Sequence, residues 1–179
     1  GGFGTRGSEG IINTSNFARE NNIPYLGICF GFQLAAVSFA RNVCNYSDAN
    51  STEIEEKTST PIIDLLPEQD DVTDMGGSLR LGANEINVKP DTLANKIYGQ
   101  ERISKRHRHR YEFNTKYLDE FAENGMIFSG ESDNGRRMEI LEIPSHKFFV
   151  GVQFHPEFNS RPGYPEQVFK AFTTAANQN

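Results

Sequence analysis

Hydrophobic and polar positions follow one another along this chain in segments that predict strands and helices in turn. Short apolar runs at residues 24–28 and 148–154 predict buried strands, because strands covered on both faces are apolar throughout. Apolar residues at helical spacing predict helices over residues 10–22, 32–44 and 165–176. Strands that alternate with helices are typical of an α/β fold, so we expect a sheet with helices on both faces.

The other segments carry weaker patterns. Residues 45–68 are polar and irregular apart from the apolar positions at 62–65, and residues 79–88 alternate only in part. We therefore expect loops and a side hairpin in the middle of the chain. Further elements are predicted near the end: a short helix at 116–124, strands at 126–129 and 138–143, and a tight turn at 133–135.

A cysteine occupies the turn between the first predicted strand and the helix that follows it. It stands within LGICFGFQ, residues 26–33. Gly27 and Gly31 allow strained dihedral angles and close backbone approach, and the following helix directs its N-terminal N–H groups at the sulfur. Both effects favour the thiolate, so we predict that Cys29 is a nucleophile on a strand-to-helix elbow. The alternative is a cysteine buried in the core, as many free cysteines are.

A histidine and a glutamate follow the second apolar strand, in the sequence His155-Pro156-Glu157. The ends of strands in one sheet bring distant segments together, so His155 can lie beside Cys29. His155 would take the thiol proton and later protonate the leaving group. Glu157 would hold the imidazole tautomer and stabilise its charged form.

The cysteine and histidine motifs, together with Gln33, resemble those of the class I (triad) glutamine amidotransferases. Members of this family hydrolyse glutamine and pass ammonia to a synthetase partner. Within the family, the chain is similar to the amidotransferase domain of the CTP synthases. The matching segments occur in the family's order, at residues 1–4, 48–53, 74–82, 106–112 and 154–162. Phe30 and Phe32 stand where leucine and methionine are usual, which changes packing and not chemistry.

The resemblance implies a flavodoxin-like, three-layer α/β sandwich around a mostly parallel sheet. The chain has no initiator methionine, and Gly1-Gly2 stands where a loop should follow a strand. We therefore expect a single glutamine amidotransferase domain over residues 1–179, without its N-terminal strands and without the synthase domain that precedes it in the family.

The resemblance also assigns binding residues. Backbone N–H groups in a glycine loop can approach a tetrahedral intermediate, and the resulting candidates for the oxyanion hole are Gly2, Phe3 and Phe30. Free glutamine carries an ammonium and a carboxylate, which an acid and hydrogen-bond donors recognise. The glutamine site implied by the family comprises Gly2, Phe30, Gly31, Phe32, Gln33, Glu53 and Arg110. Without the resemblance, Gly2 would belong to a flexible end, Glu53 would be a solvated acid, and Gln33 an ordinary helix residue.

A basic run at residues 105–110, KRHRHR, is the strongest charge cluster in the chain. If it forms a strand, the three arginines share one face and His107 and His109 the other. Two histidines without a nearby acid are a poor zinc site, so we expect no metal here, and a solvated face is the alternative to anion binding. Arg80 resembles an arginine linked in the family to activation by GTP, and the glycines at 76–77 would allow a mobile lid.

Composition is consistent with the predicted fold and adds few constraints on function. A chain of 179 residues with 36% hydrophobic content can bury one core, and two cysteines do not make a disulfide framework. A net charge of −6 argues against nucleic-acid binding, and no apolar stretch reaches the roughly 20 residues that span a bilayer. We expect a cytoplasmic protein in which Cys44 and His146 are structural.

The predicted function is therefore that of the glutaminase domain of a ligase that forms a carbon–nitrogen bond. The family implies no cofactor in this domain, ATP and Mg²⁺ in the synthase domain, GTP as an activator, and UTP as the acceptor of ammonia. Family members are homotetramers through the synthase half. The alternatives are another class I amidotransferase of the GMP synthetase or anthranilate synthase type, a non-catalytic module on the same fold, and a cysteine peptidase or γ-glutamyl hydrolase.

Overall fold

Helices and strands alternate at the start of the chain, as the apolar pattern predicts, and runs of two or three consecutive strands follow. The computed structural model describes residues 1–66 and 79–178, and within these ranges it has five α-helices and nine strands. The helices are α1 (Ser8–Glu20), α2 (Phe30–Asn42), α3 (Leu93–Tyr98), α4 (Leu118–Glu123) and α5 (Gln167–Ala176). The strands are β1 (Tyr25–Ile28), β2 (Asn50–Ser51), β3 (Pro61–Asp64), β4 (Arg80–Val88), β5 (Arg102–His109), β6 (Glu112–Phe113), β7 (Ile127–Ser132), β8 (Arg137–Glu142) and β9 (Phe149–Val152).

The main sheet is mixed and not mostly parallel. Its strand order in the described residues is β1-β9-β8-β7-β4-β5, and a smaller sheet has the order β2-β3-β6. Strands β1 and β9 are parallel, whereas the other neighbours in the main sheet are antiparallel. The expectation of a mostly parallel sheet is therefore wrong for these strands. For β7, β8 and β9 the physical reason is connection length, because these strands follow one another through short turns, which can join only antiparallel neighbours.

Apolar side chains cover both faces of the main sheet and form two buried clusters. On one face, α2 packs between α1 and the sheet, and its Phe32 lies against Phe128. On the other face, α3 and α5 enclose a cluster that includes Val152 and Val168. Since alternate residues of a strand point to opposite faces, Phe149 joins the first cluster and Val152 the second. Helices on both faces confirm the three layers that the sequence predicts.

Helix α3 was not predicted, because its short apolar pattern is too weak to identify. Its ends are nevertheless well specified. The Thr92 hydroxyl oxygen accepts a hydrogen bond from the Asn95 N–H at 3.1 Å, and the Glu142 carboxylate accepts from the N–H groups of Leu93 and Ala94. Gly99, with φ of 64°, ends the helix in the left-handed conformation. Capping groups from both nearby and distant residues therefore stabilise this helix.

The partial alternation at residues 79–88 corresponds to a strand of the main sheet and not to a side hairpin. Strand β4 pairs antiparallel with β5 from Arg80 opposite His109 to Asn87 opposite Arg102. The end of β4 also pairs with β7, and this second pairing joins β4 and β5 to the sheet. In the part of the chain that the structure describes, no helix is long and apolar enough to cross a membrane.

Candidate active site

Cys29 lies on the predicted elbow, directly between β1 and α2. Its dihedral angles are φ 51° and ψ −102°, so it is a non-glycine residue with positive φ. The Cys29 N–H donates to the Val152 carbonyl of β9 at 2.8 Å, and the Cys29 carbonyl accepts from the Gln33 N–H at 3.1 Å. Strained backbone of this kind persists only where the surrounding structure holds it, and it is common at functional sites. These contacts anchor the cysteine at the N-terminus of α2.

Gly27 is required because the backbone of the elbow folds back against it. A Cβ atom at this position would lie 2.6 Å from the Gly31 carbonyl oxygen and 2.7 Å from its carbonyl carbon. It would also lie 2.9 Å from Cε1 of Tyr25, whose hydroxyl donates to the same Gly31 oxygen at 2.9 Å. No side chain fits in this space, so glycine allows the first turn of α2 to approach β1.

The parallel pairing of β1 and β9 brings His155 and Glu157 to the edge of the sheet where Cys29 lies. Ile28 pairs with Val152, so the two chain segments leave the sheet side by side. The Nδ1 atom of His155 lies 2.6 Å from Oε1 of Glu157. A carboxylate accepts hydrogen bonds, so Nδ1 carries the proton and Nε2 is the basic nitrogen. Nε2 is buried, and it has no hydrogen-bond partner among the residues described.

Strand β5 also holds the cysteine and the histidine near one another. The Arg106 carbonyl accepts from the His155 N–H at 2.9 Å, and the Arg108 carbonyl lies 3.8 Å from the Cys29 sulfur. Residues two apart in a strand are separated by about 7 Å, so one short stretch of β5 contacts both groups. A Cβ atom on Gly1 would lie 3.2 Å from Cε1 of His155, which shows that the glycine loop also packs against the histidine ring.

The pKa of Cys29 is raised to about 11, contrary to the expectation that the elbow favours the thiolate. Burial is the largest cause, because removal from water disfavours the charged form. A hydrogen bond from the Phe30 N–H acts in the expected direction and lowers the pKa, but the negative charges of Glu157 and Glu53 raise it further. Burial therefore outweighs the helix terminus, and the thiol needs a base to remove its proton.

A cavity of about 390 Å³ opens beside the sulfur. Six of its lining residues are predicted site residues: Gly2, Phe3, Cys29, Gln33, Glu53 and Arg110. Four others were not predicted: Leu79, Arg108, His109 and Tyr111. The Glu53 carboxylate also accepts from the Gly4 N–H at 2.9 Å, which ties the glycine loop to the wall of the cavity.

Some predicted residues lie outside the lining of this cavity. Phe30 and Gly31 form the first turn of α2 beside Cys29, where only their backbone is suited to contact a substrate. The Phe32 side chain is fully buried and packs edge to face on Phe128, so it points into the core. His155 and Glu157 approach from the end of β9 and do not line the cavity itself.

Most of the basic run forms the predicted strand, with Arg106 and Arg108 on one face and His107 and His109 on the other, but β5 ends at His109 and Arg110 lies beyond it. In β5, Lys105, His107 and His109 are buried, whereas Arg106 and Arg108 are exposed. Among the described residues, no group of three or more His, Cys, Asp or Glu side chains is arranged to hold a metal ion. The basic run therefore contributes one row of side chains to the core and one to the surface.

The buried histidine row contacts a cluster of charged groups that includes Arg80. Arg80 Nη1 lies 2.6 Å from Oε1 of Glu139, and Nη2 donates to the Ser132 hydroxyl at 3.0 Å. His107 Nε2 lies 2.8 Å from the other oxygen of Glu139. Burial raises the pKa of Glu139, but the hydrogen bond from His107 and the charge of Arg80 outweigh it and lower that pKa to about 2.

The GTP role of Arg80 stays a prediction. The arginine lies in this internal charge cluster, and its guanidinium is not among the groups that line the cavity at Cys29. The glycines of the predicted lid, at positions 76–77, fall outside the described residues.

Gln153 is a polar neighbour of the Cys29 sulfur that the sequence interpretation missed. It is fully buried, its Nε2 lies 3.8 Å from the Cys29 sulfur, and its Oε1 accepts from Gln33 Nε2 at 3.2 Å. The signal was present in the sequence: Gln153 is the single polar residue in the apolar run 148–154, and it stands two positions before His155.

Cys44 and His146 lie away from the cavity, as expected for structural residues. His146 Nε2 lies 3.1 Å from the Ala18 carbonyl, and its Nδ1 accepts from the Phe148 N–H at 3.1 Å. The ring thus joins α1 to the start of β9. Cys44 is buried near the end of α2, and both cysteines are free thiols.

Comparison with known proteins covers nearly the whole chain. A family model described as glutamine amidotransferase class-I matches residues 1–175. The CTP synthase of Archaeoglobus fulgidus is 56% identical over 176 residues, which are 98% of this chain and 33% of that protein. The CTP synthase of Staphylococcus saprophyticus is 57% identical over 176 residues, with the same shares of both chains. The chain thus spans about a third of the length of the curated relatives it matches.

Solved structures of glutamine amidotransferases also match this chain. The glutaminase domain of Trypanosoma brucei CTPS with bound acivicin matches with a TM-score of 0.93 and 38% identity, over 100% of this chain and 69% of that one. A glutamine amidotransferase from Thermotoga maritima, with a TM-score of 0.54, 15% identity and coverage of 83% of this chain and 47% of that one, shares the fold. The α/β fold agrees with these matches. The chain belongs to the class I glutamine amidotransferase family.

Proposed function

We propose that this chain is the part of a CTP synthase that hydrolyses glutamine and releases ammonia for the amination of UTP. The observation that carries the proposal is that Cys29, on its strained elbow, and the hydrogen-bonded pair His155 and Glu157 follow two strands, β1 and β9, which pair in parallel and end side by side. The CTP synthases that match 98% of the chain support the choice of this branch of the family.

The first half of the reaction forms a covalent intermediate. His155 Nε2 accepts the Cys29 proton, and the sulfur attacks the side-chain amide carbon of glutamine. The carbonyl oxygen becomes an oxyanion, for which the N–H groups of Gly2, Phe3 and Phe30 are the proposed donors. When the intermediate collapses, the carbon–nitrogen bond breaks, and His155 returns the proton to the departing ammonia. The product is a γ-glutamyl thioester on Cys29.

The second half restores the enzyme. His155 removes a proton from water, and the resulting hydroxide attacks the thioester carbon. The carbon–sulfur bond breaks, glutamate leaves, and the thiolate takes back the proton from His155. Because the Nδ1 of His155 is hydrogen-bonded to Glu157, the ring keeps Nε2 available through both halves.

The cavity offers groups that suit a free amino acid. Glu53 supplies a negative charge for the α-ammonium, and Arg110 supplies donors for the α-carboxylate. Gln33, in the first turn of α2, also lines the cavity, and its NH₂ group already donates to the Tyr111 carbonyl and to Gln153 Oε1. A site built for both charged ends favours free glutamine over a glutamyl residue within a peptide.

The remaining steps belong to the part of the protein that precedes this domain in the relatives. There, ATP with Mg²⁺ would phosphorylate the uracil O4 of UTP, and ammonia would displace the phosphate to give CTP. GTP would activate glutamine hydrolysis, with Arg80 as the proposed responsive residue. We further propose a homotetrameric, cytoplasmic enzyme, as the family pattern implies.

The test is transfer of amide-labelled nitrogen from glutamine into CTP by the full-length parent protein. Cys29→Ala should abolish CTP formation from glutamine and leave CTP formation from free ammonia intact. Cys44→Ala, which removes the other buried cysteine, is the matched control and should retain both activities. If the wild-type protein makes CTP from neither nitrogen source, the acceptor is wrong; if Cys29→Ala still transfers the label, the nucleophile is wrong.

A further inference from the structure

The side-chain amide of Gln153 contacts the reacting atom of the site, yet neither the triad nor the glutamine pocket assigns it a role. Its Nε2 lies 3.8 Å from the Cys29 sulfur. We propose that Gln153 is a further catalytic residue, which donates a hydrogen bond from its amide to the Cys29 thiolate during attack and during its release from the thioester. This inference rests on the proposed glutaminase chemistry.

The orientation of the Gln153 amide is determined by its neighbours. The Tyr111 backbone carbonyl can only accept a hydrogen bond, so the Gln33 atom that lies 2.8 Å from it must be Nε2. The same Gln33 Nε2 lies 3.2 Å from Gln153, so the Gln153 atom that faces it must be the acceptor Oε1. The other end of the Gln153 amide, which faces the sulfur, is therefore the NH₂ group. A backbone carbonyl thus sets the orientation of two side chains in series.

The position of Gln153 is also held firmly. The residue is fully buried, and its backbone N–H donates to the Glu139 carbonyl at 2.8 Å, directly after β9. Gln33 is 3% exposed, so neither amide can turn towards solvent without opening the core. A donor that is fixed before the reaction stabilises developing charge without reorganisation at the moment of attack.

A hydrogen-bond donor at this position stabilises the thiolate much more than the neutral thiol. A neutral thiol is a weak acceptor, whereas hydrogen bonds to an ionised acceptor are roughly twice as strong as neutral ones. Burial disfavours the Cys29 thiolate, and only hydrogen bonds or positive charge offset that effect. The Phe30 N–H is one such donor. The Gln153 amide is a second one, contributed by the segment after β9 that also carries His155.

The test compares the acidity of Cys29 in two variants of Gln153. Gln153→Glu keeps an oxygen for Gln33 and removes the donor to the sulfur, whereas Gln153→Met fills a similar volume and removes both interactions. The measurement is the pH dependence of iodoacetamide alkylation, followed by mass spectrometry of the peptide that contains Cys29. Loss of one hydrogen bond to a charged group should raise the apparent pKa of Cys29 by about 1 unit in Gln153→Met, which lowers alkylation at neutral pH about tenfold. Gln153→Glu should raise it further through its negative charge.

Ile140→Val is the control, because it trims a fully buried side chain of the same sheet. Its alkylation profile should coincide with that of the wild type, and thermal unfolding of each variant reports its folding. Profiles of both Gln153 variants that coincide with the wild type would overturn the proposal, as would an equal shift in Ile140→Val. The alkylation assay uses no glutamine, so failure of the glutaminase function, seen as a wild type that releases no ammonia, is distinguished from failure of this inference.

Discussion

Replacement of Gly27 by alanine should damage both the stability and the activity of this protein. The Gly27 backbone does not have positive φ, so alanine creates no dihedral strain there, and the whole effect comes from contacts of the new Cβ atom. That atom would lie 2.6 Å from the Gly31 carbonyl oxygen, compared with at least 3.4 Å in ordinary contacts. The backbone of α2 would have to move by roughly 0.8 Å, which is the difference between these distances.

The expected loss of stability combines three contributions. Overpacking in a core costs about 1–3 kcal/mol, and the upper end applies because the clashing atoms are backbone. Displacement of Gly31 also weakens its hydrogen bond from the Tyr25 hydroxyl, which contributes about 1 kcal/mol. Alanine also lowers the conformational entropy of the unfolded chain, which stabilises the folded state by about 0.4–1 kcal/mol. The net decrease in the free energy of unfolding is about 3 kcal/mol, or a fall in Tm of about 6–12 °C for a domain of this size.

Thermal unfolding of the wild type, Gly27→Ala and Gly10→Ala measures this effect. Gly10 is the matched control: it lies in α1, and a Cβ atom there meets nothing within 4 Å. The control should gain about 0.5–1 kcal/mol through its higher helix propensity, so the same substitution has opposite signs at the two sites. Glutamine hydrolysis should fall about 100-fold in Gly27→Ala, because the nucleophile moves with α2. A Gly27→Ala variant within 0.5 kcal/mol of the wild type would refute the reasoning.

Three further predictions concern groups around the fold and the site. The pKa of Glu139 is about 2 in the folded protein and 4.5 in the reference state, so its stabilisation is present above pH 4.5 and is lost as the pH falls towards 2. Between pH 4.5 and 2, urea unfolding should therefore show a smaller loss of stability in Glu139→Gln than in the wild type. If the free energy of unfolding falls equally steeply with pH in both proteins, the lowered pKa of Glu139 is contradicted. Thr92→Ala should lower the free energy of unfolding by about 1 kcal/mol, whereas Thr92→Ser should retain the cap; equal stability of the two would argue against capping. Glu53→Gln should raise the KM for glutamine by about 10-fold or more with a much smaller change in kcat, and steady-state kinetics with an unchanged KM would remove Glu53 from the substrate site.

Several features of this protein are local, and the order of residues is sufficient to predict them. The apolar run before Cys29 and the helical spacing after it place the cysteine on an elbow, because strand and helix periods differ and glycine permits the turn between them. The alternation in the basic run likewise predicts which side chains of β5 share a face. The spacing of His155 and Glu157 is local too, and their hydrogen bond needs only two residues in the same turn.

Other features depend on which segments meet in space, and no pattern in the sequence contains that information. The net pKa of Cys29 rises because desolvation depends on everything packed around the sulfur, and this outweighs the local N–H that sequence reasoning considered. The Tyr111 carbonyl fixes the orientation of the Gln33 amide, and the Gln33 amide fixes that of Gln153. These residues lie on three separate segments, so the orientation is set only after the three segments pack together. The antiparallel pairing of β4 with β5 and with β7 also depends on packing, because no short turn joins these strands. Local periodicity thus predicted the elements on either side of Cys29, whereas the assembled structure decided the electrostatics at its sulfur.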